Sequence, residues 1–284
     1  MSEIPNDSLA REQVSRDVQR LLATLHGKVE VSDVDLMHYR GIRDSTRDDE
    51  NYSDGRSKAD VAVKLGVSTT QLSKALRGQR ILDIGGGRGV FAGDVAKDKS
   101  THVTVLENDP EMLLHVPERP NITAVEGDGY DLLGSGLEPA SYDSVFVTYS
   151  TNFWADSPAE AARSVLEPLR VLKPNGAVYY TPIAQNLGIA DAGLSGLLPD
   201  RFAVTKEHDI NRYYKVRGAF ALQAYALLQT MERYGGVEVA YRESHKNARF
   251  KKKQLADGRL ISPDSYSAIL TAQNPDEVLA KLQG

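Results

Sequence analysis

Hydrophobic positions in the first quarter of the chain recur at the spacing of amphipathic helices. The first run places apolar side chains at Val14, Val18, Leu21, Leu22 and Leu25. Gly27 follows as a natural helix stop. Residues 40–58 are charged and poor in large apolar side chains, which is typical of a loop. Residues 59–76 return to helical spacing with an expected break at Gly66-Val67-Ser68, so the pattern predicts a helical N-terminal extension over residues 1–79.

After Arg80 the pattern changes to short β-rich runs that alternate with amphipathic helices. Five such runs cover residues 81–84, 102–106, 122–125, 144–148 and 177–181. A long amphipathic helix from about 213 to 234 precedes two more strand-like runs, at 237–241 and 266–271. Strands separated by helices imply crossover connections. The sequence therefore predicts an α/β domain over residues 80–284, with a doubly wound, mostly parallel sheet of seven strands whose last pair could be antiparallel.

The helix expected after the fourth strand carries its own start signal. Ser157 is the predicted N-cap, Pro158 the first helical residue and Glu160 the capping-box partner. Pro168 lies inside this helix and is expected to kink it.

Composition and charge narrow the possible functions. The 284 residues are 41% hydrophobic and 26% charged, as in ordinary folded domains. The net charge of −5 argues against a dedicated nucleic-acid binder, which needs a basic surplus. The absence of cysteine excludes disulfides, zinc–thiolate sites and cysteine nucleophiles. Neither a signal peptide nor an apolar run of membrane-spanning length is visible, so we expect a cytoplasmic protein without a membrane partner.

The strongest chemical signal is Asp83-Ile84-Gly85-Gly86-Gly87-Arg88-Gly89, which follows an apolar strand and opens a helix. Glycines at such a turn let a ligand approach the main chain closely. Nicotinamide-binding proteins use the spacing G-x-G-x-x-G. Here an acidic residue is followed by glycines at 85, 87 and 89, which is a different pattern.

This pattern resembles motif I of the class I S-adenosylmethionine-dependent methyltransferases, and four further segments resemble the family in order. These are Glu107 after the second strand, Gly127-Asp128-Gly129 after the third, the fourth strand at 142–147, and Leu172-Lys173-Pro174-Asn175-Gly176 before the fifth. The resemblance covers residues 80–183 and implies a Rossmann-like sheet with S-adenosylmethionine as cofactor. Asn175 stands where the family usually has glycine, and asparagine also tolerates a left-handed turn.

The resemblance implies roles for individual residues. Glu107 is expected to accept the ribose hydroxyls and Asp128 to contact the adenine amino group. Carboxylates suit hydroxyl donors because they are acceptor-only groups. Asp83 would orient the glycine loop or the cationic methionine end. The expected cofactor-binding residues are Asp83, Gly85, Gly86, Gly87, Gly89, Glu107, Asn108, Asp128, Gly129, Tyr149 and Ser150.

The segment after the fourth strand, Thr148 to Trp154, indicates the acceptor class only by exclusion. It lacks the [DN]-P-P-[YF] motif of enzymes that methylate amino groups of nucleic acids. The run Asn152-Phe153-Trp154-Ala155-Asp156 resembles the H-D-W-x-D of dimeric small-molecule O-methyltransferases, which makes a homodimer possible. Asn152 then replaces their histidine base.

The same region and the Gly-Gly-Gly loop also resemble the spermidine synthases, but Tyr149 and Asn152 occupy the positions of their two aspartates.

Other segments leave alternatives open. Residues 58–78 resemble a repressor-type helix-turn-helix, although two helices packed beside the cofactor cleft explain the same spacing. The basic run 249–253 fits a solvated hairpin loop or a contact for an acidic substrate or RNA. Residues 185–235 form an expected substrate-side insertion. His208, between Glu207 and Asp209, is a candidate acid or base.

Two further groups of residues are candidates for the site. Tyr149 is a catalytic candidate because it follows the fourth strand. Tyr39, Tyr52 and Arg56 are candidates for an N-terminal lid over the cofactor.

The sequence thus predicts a methyltransferase with a small-molecule acceptor and no metal. An aminopropyltransferase and a catalytically inactive cofactor-binding partner protein are the alternatives.

Overall fold

The computed structural model describes residues 56–185, 235–243 and 265–283 as continuous segments. It also describes residues 33, 36, 37, 40, 220, 223, 224, 226–233, 253, 254, 260 and 261. The predicted helix around residues 14–25, the candidates Tyr39 and Tyr52, most of the insertion at 185–235 and His208 lie outside these residues.

Two short helices precede the sheet, as the sequence predicts. Helix α1 spans Lys58–Lys64 and α2 spans Thr69–Leu76. Each begins with a capping box, Ser57 with Asp60 and Ser68 with Gln71, which satisfies N–H groups that a helix start leaves unpaired. The chain turns between them at Gly66, whose φ of +67° is left-handed.

The central sheet has seven strands in the order β3-β2-β1-β4-β5-β9-β6. Their bounds are Arg80–Ile84 (β1), His102–Glu107 (β2), Ile122–Glu126 (β3), Tyr142–Thr148 (β4), Leu172–Gln185 (β5), Val237–Glu243 (β6) and Ser265–Ala272 (β9). Strands β1 to β5 pair in parallel, and β9 lies antiparallel between β5 and β6. All seven predicted strands and the antiparallel end of the sheet are therefore confirmed.

Two very short strands, β7 (Lys253–Gln254) and β8 (Leu260–Ile261), form a separate antiparallel pair. Lys253, the last residue of the basic run, thus belongs to a strand and not to the loop of a hairpin. The sequence pattern did not predict these two strands, because a strand of two residues is too short to show an alternation of apolar and polar positions.

The helices that connect the strands are α3 (Val90–Val95), α4 (Pro110–Leu113), α5 (Thr151–Trp154) and α6 (Pro158–Val171), followed by helical residues 226–233 and α7 (Pro275–Gln283). Ser157 caps α6 by accepting from the Glu160 N–H at 3.1 Å. The Glu160 carboxylate does not complete the expected capping box on Ser157, because it accepts instead from the Asp156 N–H at 2.8 Å. Helix α6 continues through Pro168 to Val171.

Both faces of the sheet are covered, as expected of a doubly wound fold. On one face, residues such as Leu82 and Val145 pack with α6, α7 and helical residues 226–233. On the other face, Ile81 and Phe146 pack with α1, α2 and α3. The buried Leu72 and Leu76 place α2 against the sheet, and this packing accounts for the apolar spacing of residues 58–78. Within the part of the chain that the structure describes, no helix has the length and apolar character needed to cross a membrane.

Candidate cofactor site

The glycine loop lies directly beyond β1, at the carboxyl edge of the parallel sheet. Gly85, Gly87 and Gly89 have left-handed φ values of +62°, +55° and +69°. Gly89 is the N-cap of α3, so the loop leads into the start of a helix. At Gly85 a side chain is excluded by space as well, because a Cβ there would lie 2.5 Å from the Ser150 Cβ. The loop thus presents bare backbone at the place where open α/β sheets bind ligands.

Asp83 lies beneath this loop and does not line the pocket described below. A Cβ at Gly86 would be 2.8 Å from the Asp83 Oδ2 atom, so this carboxyl group packs against the underside of the loop. Burial raises the pKa of Asp83 to about 7, the nearby Arg56 charge opposes the rise, and Glu107 adds to it. The position fits an orienting role for the loop more closely than a direct ligand contact.

Glu107 is held at the end of β2 by three backbone donors. Its Oε2 atom accepts from Gly87 N–H at 2.9 Å, and its Oε1 atom accepts from Asn108 and Asp109 N–H at 2.9 and 3.2 Å. A carboxylate has about four acceptor positions, so at least one remains for a ligand hydroxyl. The side chain is therefore pre-oriented by the glycine loop and by its own strand end.

The segment after β3 forms the next part of the site. The Asp128 Oδ1 atom accepts from Tyr130 N–H at 2.8 Å, and the Tyr130 hydroxyl donates to the Thr151 carbonyl at 2.8 Å. A Cβ at Gly129 would lie 2.5 Å from the Thr151 Cγ2 atom. These contacts fasten the turn after β3 to the turn after β4, which brings two separate motifs to one edge.

Tyr149, immediately after β4, has a left-handed φ of +48°. Its carbonyl accepts from the Trp154 indole N–H at 2.9 Å and from the Arg56 Nη2 group at 2.9 Å. Arg56 also donates through Nη1 to the Gly85 carbonyl. The guanidinium group therefore joins the loop after β1 to the loop after β4.

These segments surround one cavity of about 300 Å³. Its walls consist of Arg56, Ile84, Gly85, Leu106, Glu107, Asn108, Gly127, Asp128, Gly129, Tyr130, Tyr149, Ser150, Thr151, Trp154 and Glu160. Seven of the predicted cofactor-binding residues are in this wall, namely Gly85, Glu107, Asn108, Asp128, Gly129, Tyr149 and Ser150. Asp83, Gly86, Gly87 and Gly89 are not wall residues.

Several wall residues were not predicted from the sequence. Tyr130 and Trp154 each lie beside a recognised motif, so aromatic residues next to Gly129 and after β4 were the available signal. Arg56 was named only as part of a lid, and its buried position in the wall depends on tertiary packing. Asn152, which stands where related enzymes have a base or an aspartate, is buried and does not line the cavity.

The residues present fit an adenosyl cofactor. Glu107 and Asp128 offer acceptors beyond the ends of neighbouring strands, and Gly85 and Gly129 contribute backbone without a side chain to the cavity wall. The buried Ser150 hydroxyl has no hydrogen-bond partner among the described residues, so a polar ligand group would satisfy it. The described residues contain no group of three or more His, Cys, Asp or Glu side chains arranged to hold a metal ion.

Comparison with known proteins agrees with this geometry. Residues 81–176 match the family described as "Methyltransferase domain", and this stretch runs from β1 to the beginning of β5. The chain is 28% identical over 199 residues to a demethylmenaquinone methyltransferase from Chlorobaculum tepidum, a match that covers 66% of this chain and 73% of that protein.

Solved structures are also similar to the chain. A putative S-adenosylmethionine-dependent methyltransferase from Listeria monocytogenes has a TM-score of 0.47 and 16% identity, covering 72% of this chain and 97% of that one. Fibrillarin from Aeropyrum pernix, in complex with natively bound S-adenosyl-L-methionine, has a TM-score of 0.46 and 16% identity, covering 76% of this chain and 74% of that one.

The sheet order, the glycine loop with its adjoining acids and the matched domain lead to one assignment. Residues 81–176 form a methyltransferase domain with the Rossmann-like sheet of class I enzymes, and the protein is an enzyme that uses S-adenosylmethionine as its cofactor.

Proposed function

We propose that this enzyme transfers the methyl group to a small molecule with an apolar or aromatic body. The observation that carries this proposal is the composition of the cavity wall beyond the two carboxylates, where Tyr130, Tyr149 and Trp154 supply aromatic surface. Aromatic walls favour flat apolar ligands through burial and ring contacts. The relative named a demethylmenaquinone methyltransferase supports a small-molecule acceptor of this kind.

In this proposal the cofactor is held by the motif residues. Glu107 and Asn108 bind the ribose, Asp128 and Gly129 bind the adenine end, and the loop from Gly85 to Gly89 faces the methionine end. Asp83 supports that loop from below, where it packs against Gly86. Ser150 contributes its buried hydroxyl to the same ligand.

The bound sulfonium supplies a methyl group that is already activated for in-line displacement. The residues of this chain must therefore mainly align the acceptor and exclude water. In this proposal Tyr149 and Trp154 do both from the cavity wall, where the Trp154 indole N–H donates to the Tyr149 carbonyl at 2.9 Å. A base is needed only if the acceptor must lose a proton, and the Tyr149 hydroxyl and His208 are the two candidates for that step.

The experiment is transfer of label from S-adenosylmethionine carrying a labelled methyl group to a panel of phenols, hydroquinones and aliphatic amines, followed by product separation. We expect labelled products from the aromatic hydroxyl compounds. Glu107→Ala should abolish labelling, whereas Glu126→Ala, at the paired position on β3 but outside the cavity wall, should not. Label found only in the aliphatic amines, or no label despite cofactor binding, would contradict the proposal.

The same panel separates the alternatives. An aminopropyltransferase would prefer the decarboxylated donor and would modify the amines. A catalytically inactive partner protein would bind S-adenosylhomocysteine and label nothing.

A further inference from the structure

Two cations from the N-terminal helices converge on Tyr149. Arg56 precedes α1 and Lys64 is the last residue of α1, and both are buried, at 4% and 3% exposure. Neither lies within residues 81–176, the stretch that matches the methyltransferase family. A buried cation is costly unless it has partners that justify its position. The contacts of these two side chains therefore indicate a specific role.

Arg56 acts on the backbone of the site. Its guanidinium group donates to the Gly85 carbonyl through Nη1 and to the Tyr149 carbonyl through Nη2 at 2.9 Å. A planar guanidinium can serve two acceptors in a fixed geometry, which a single ammonium group cannot reproduce. The side chain thus sets the separation between the loop after β1 and the loop after β4, the two walls that meet at Gly85 and Ser150.

Lys64 acts on the side chain of the same tyrosine. Its Nζ atom lies 4.1 Å from the centre of the Tyr149 ring, within the range of a cation–π contact. Burial lowers the pKa of Lys64 to about 7, Asp60 opposes this effect and Arg56 adds to it. Below that pH the ring is therefore held by a cation that comes from outside the matched domain.

Tyr149 needs such support because its own backbone is unfavourable. Its φ of +48° is left-handed, a conformation that a bulky non-glycine residue adopts only at an energetic cost. The strain persists only where surrounding contacts impose it. For Tyr149 these are the two bonds to its carbonyl, the bond from its N–H to the Thr181 carbonyl at 3.0 Å, and the Lys64 contact.

We propose that Arg56 and Lys64 are positioning residues that hold Tyr149 in the wall of the cofactor cavity, so that residues 56–64 form part of the site. Arg56 fixes the tyrosine backbone and Lys64 fixes its ring. The proposal concerns how the cavity is assembled, and it holds for any methyl acceptor.

The test uses the full chain and S-adenosylhomocysteine as the probe, with binding followed by calorimetry. Trp154 is the only tryptophan in the chain and donates to the Tyr149 carbonyl, so its fluorescence reports on the same loop. Arg56→Met removes both donors and should weaken binding about 10- to 100-fold, as expected for charged hydrogen bonds. It should also change the Trp154 emission spectrum before the probe is added.

The matched control is Arg77→Met, which removes an exposed arginine whose side chain is 71% accessible. It should leave both binding and emission unchanged. Arg56→Lys keeps the charge but not the fork, so a positioning role predicts affinity between those of the wild type and Arg56→Met. Full recovery in Arg56→Lys would show that charge alone matters and would overturn the role assigned to the two hydrogen bonds.

The role of Lys64 is tested with Lys64→Met, which should weaken binding about fivefold. The control is Lys74→Met on the exposed side of α2, which should leave binding unchanged. Tyr149→Gly removes the ring while tolerating the left-handed backbone. In that background Lys64→Met should have no further effect, because the two residues act through one contact. Equal losses in both backgrounds, or wild-type affinity and emission in folded Arg56→Met and Lys64→Met proteins, would overturn the proposal.

Discussion

The two regions that build the cofactor cavity differ in how they carry their chemistry. In residues 80–185 the functional groups follow directly on strand ends, so their position in the sequence also gives their position at the edge of the sheet. In residues 56–78 the helices have ordinary amphipathic patterns, and two side chains from this region, Arg56 and Lys64, reach the cavity wall and Tyr149 only after α1 and α2 pack on the sheet. A site can therefore depend on residues that no motif marks.

The largest expected effect comes from Gly85, where the loop after β1 lies in close contact with the loop after β4. Gly85→Ala combines a left-handed φ with a Cβ placed 2.5 Å from the Ser150 Cβ, and we expect a loss of roughly 3–4 kcal/mol in the free energy of unfolding. Gly136→Ala is the control, because Gly136 has φ +79° but open space around its Cβ position, and it should lose only about 1 kcal/mol. Equal losses in denaturant titrations would show that the approach to Ser150 does not matter.

The next effect concerns the carboxyl group beneath that loop. The pKa of Asp83 in the folded protein is about 7, above its ordinary value of 3.8, so the folded state binds the proton more tightly than the unfolded state. The contribution of Asp83 to the free energy of unfolding should therefore be largest below about pH 4 and fall by roughly 2–4 kcal/mol as the pH rises to about 7. Asp83→Asn, which stays neutral, should remove this fall.

Unfolding curves of the wild type and of Asp83→Asn, measured from pH 4 to pH 8, provide the measurement. Parallel pH profiles of the two proteins would contradict the assignment.

Lys64 should change the free energy of unfolding in the opposite direction, because its lowered pKa favours the folded state as the pH rises above about 7. Lys64→Met should therefore flatten the profile on the alkaline side.

The third prediction compares the acids of the matched domain. Glu107→Ala should weaken S-adenosylhomocysteine binding about 100-fold, because it removes a buried carboxylate that three backbone donors orient towards the cavity. Glu126→Ala, in register on β3 and exposed, should bind like the wild type. Calorimetry measures both, and an unchanged affinity in Glu107→Ala would refute its place in the site.

The smallest expected effect comes from the serine caps of α1 and α6, and it shows whether residues 56–78 and residues 80–185 unfold together. Ser57 caps α1 and Ser157 caps α6, each by accepting from the N–H of the third helical residue. Ser57→Ala and Ser157→Ala should each cost about 1 kcal/mol in the same cooperative transition. If Ser57→Ala left the main thermal transition unchanged while Ser157→Ala shifted it, α1 would be a separable element and not a structural part of the site.

Much of the fold was predictable because its signals are local. Apolar runs of four to six residues predicted all seven strands, and the glycine turns at Gly66 and at 85–89 marked where helices and strands end. The short strands at 253–254 and 260–261 and the helix Pro275–Gln283 were missed. The two strands are too short for a periodic pattern.

The cavity was predictable in part for the same reason. Glu107, Asp128 and Tyr149 were identified because the carboxyl ends of neighbouring parallel strands meet at one edge. The predicted capping box between Ser157 and Glu160 was wrong, because the Glu160 carboxylate accepts from the Asp156 N–H instead. Two nearby N–H groups compete for this carboxylate, and only the three-dimensional path of the chain selects between them.

The amino-acid sequence by itself determined the positions of the strands along the chain, the glycine turn after β1 and the acids after β2 and β3, because these depend on residues close together in the chain. Tertiary structure alone decided that Arg56 lies 2.9 Å from the Tyr149 carbonyl and that Lys64 covers the tyrosine ring. Those contacts join residues 93 and 85 positions apart along the chain, and a separation of that size becomes a contact only when helices pack on a completed sheet.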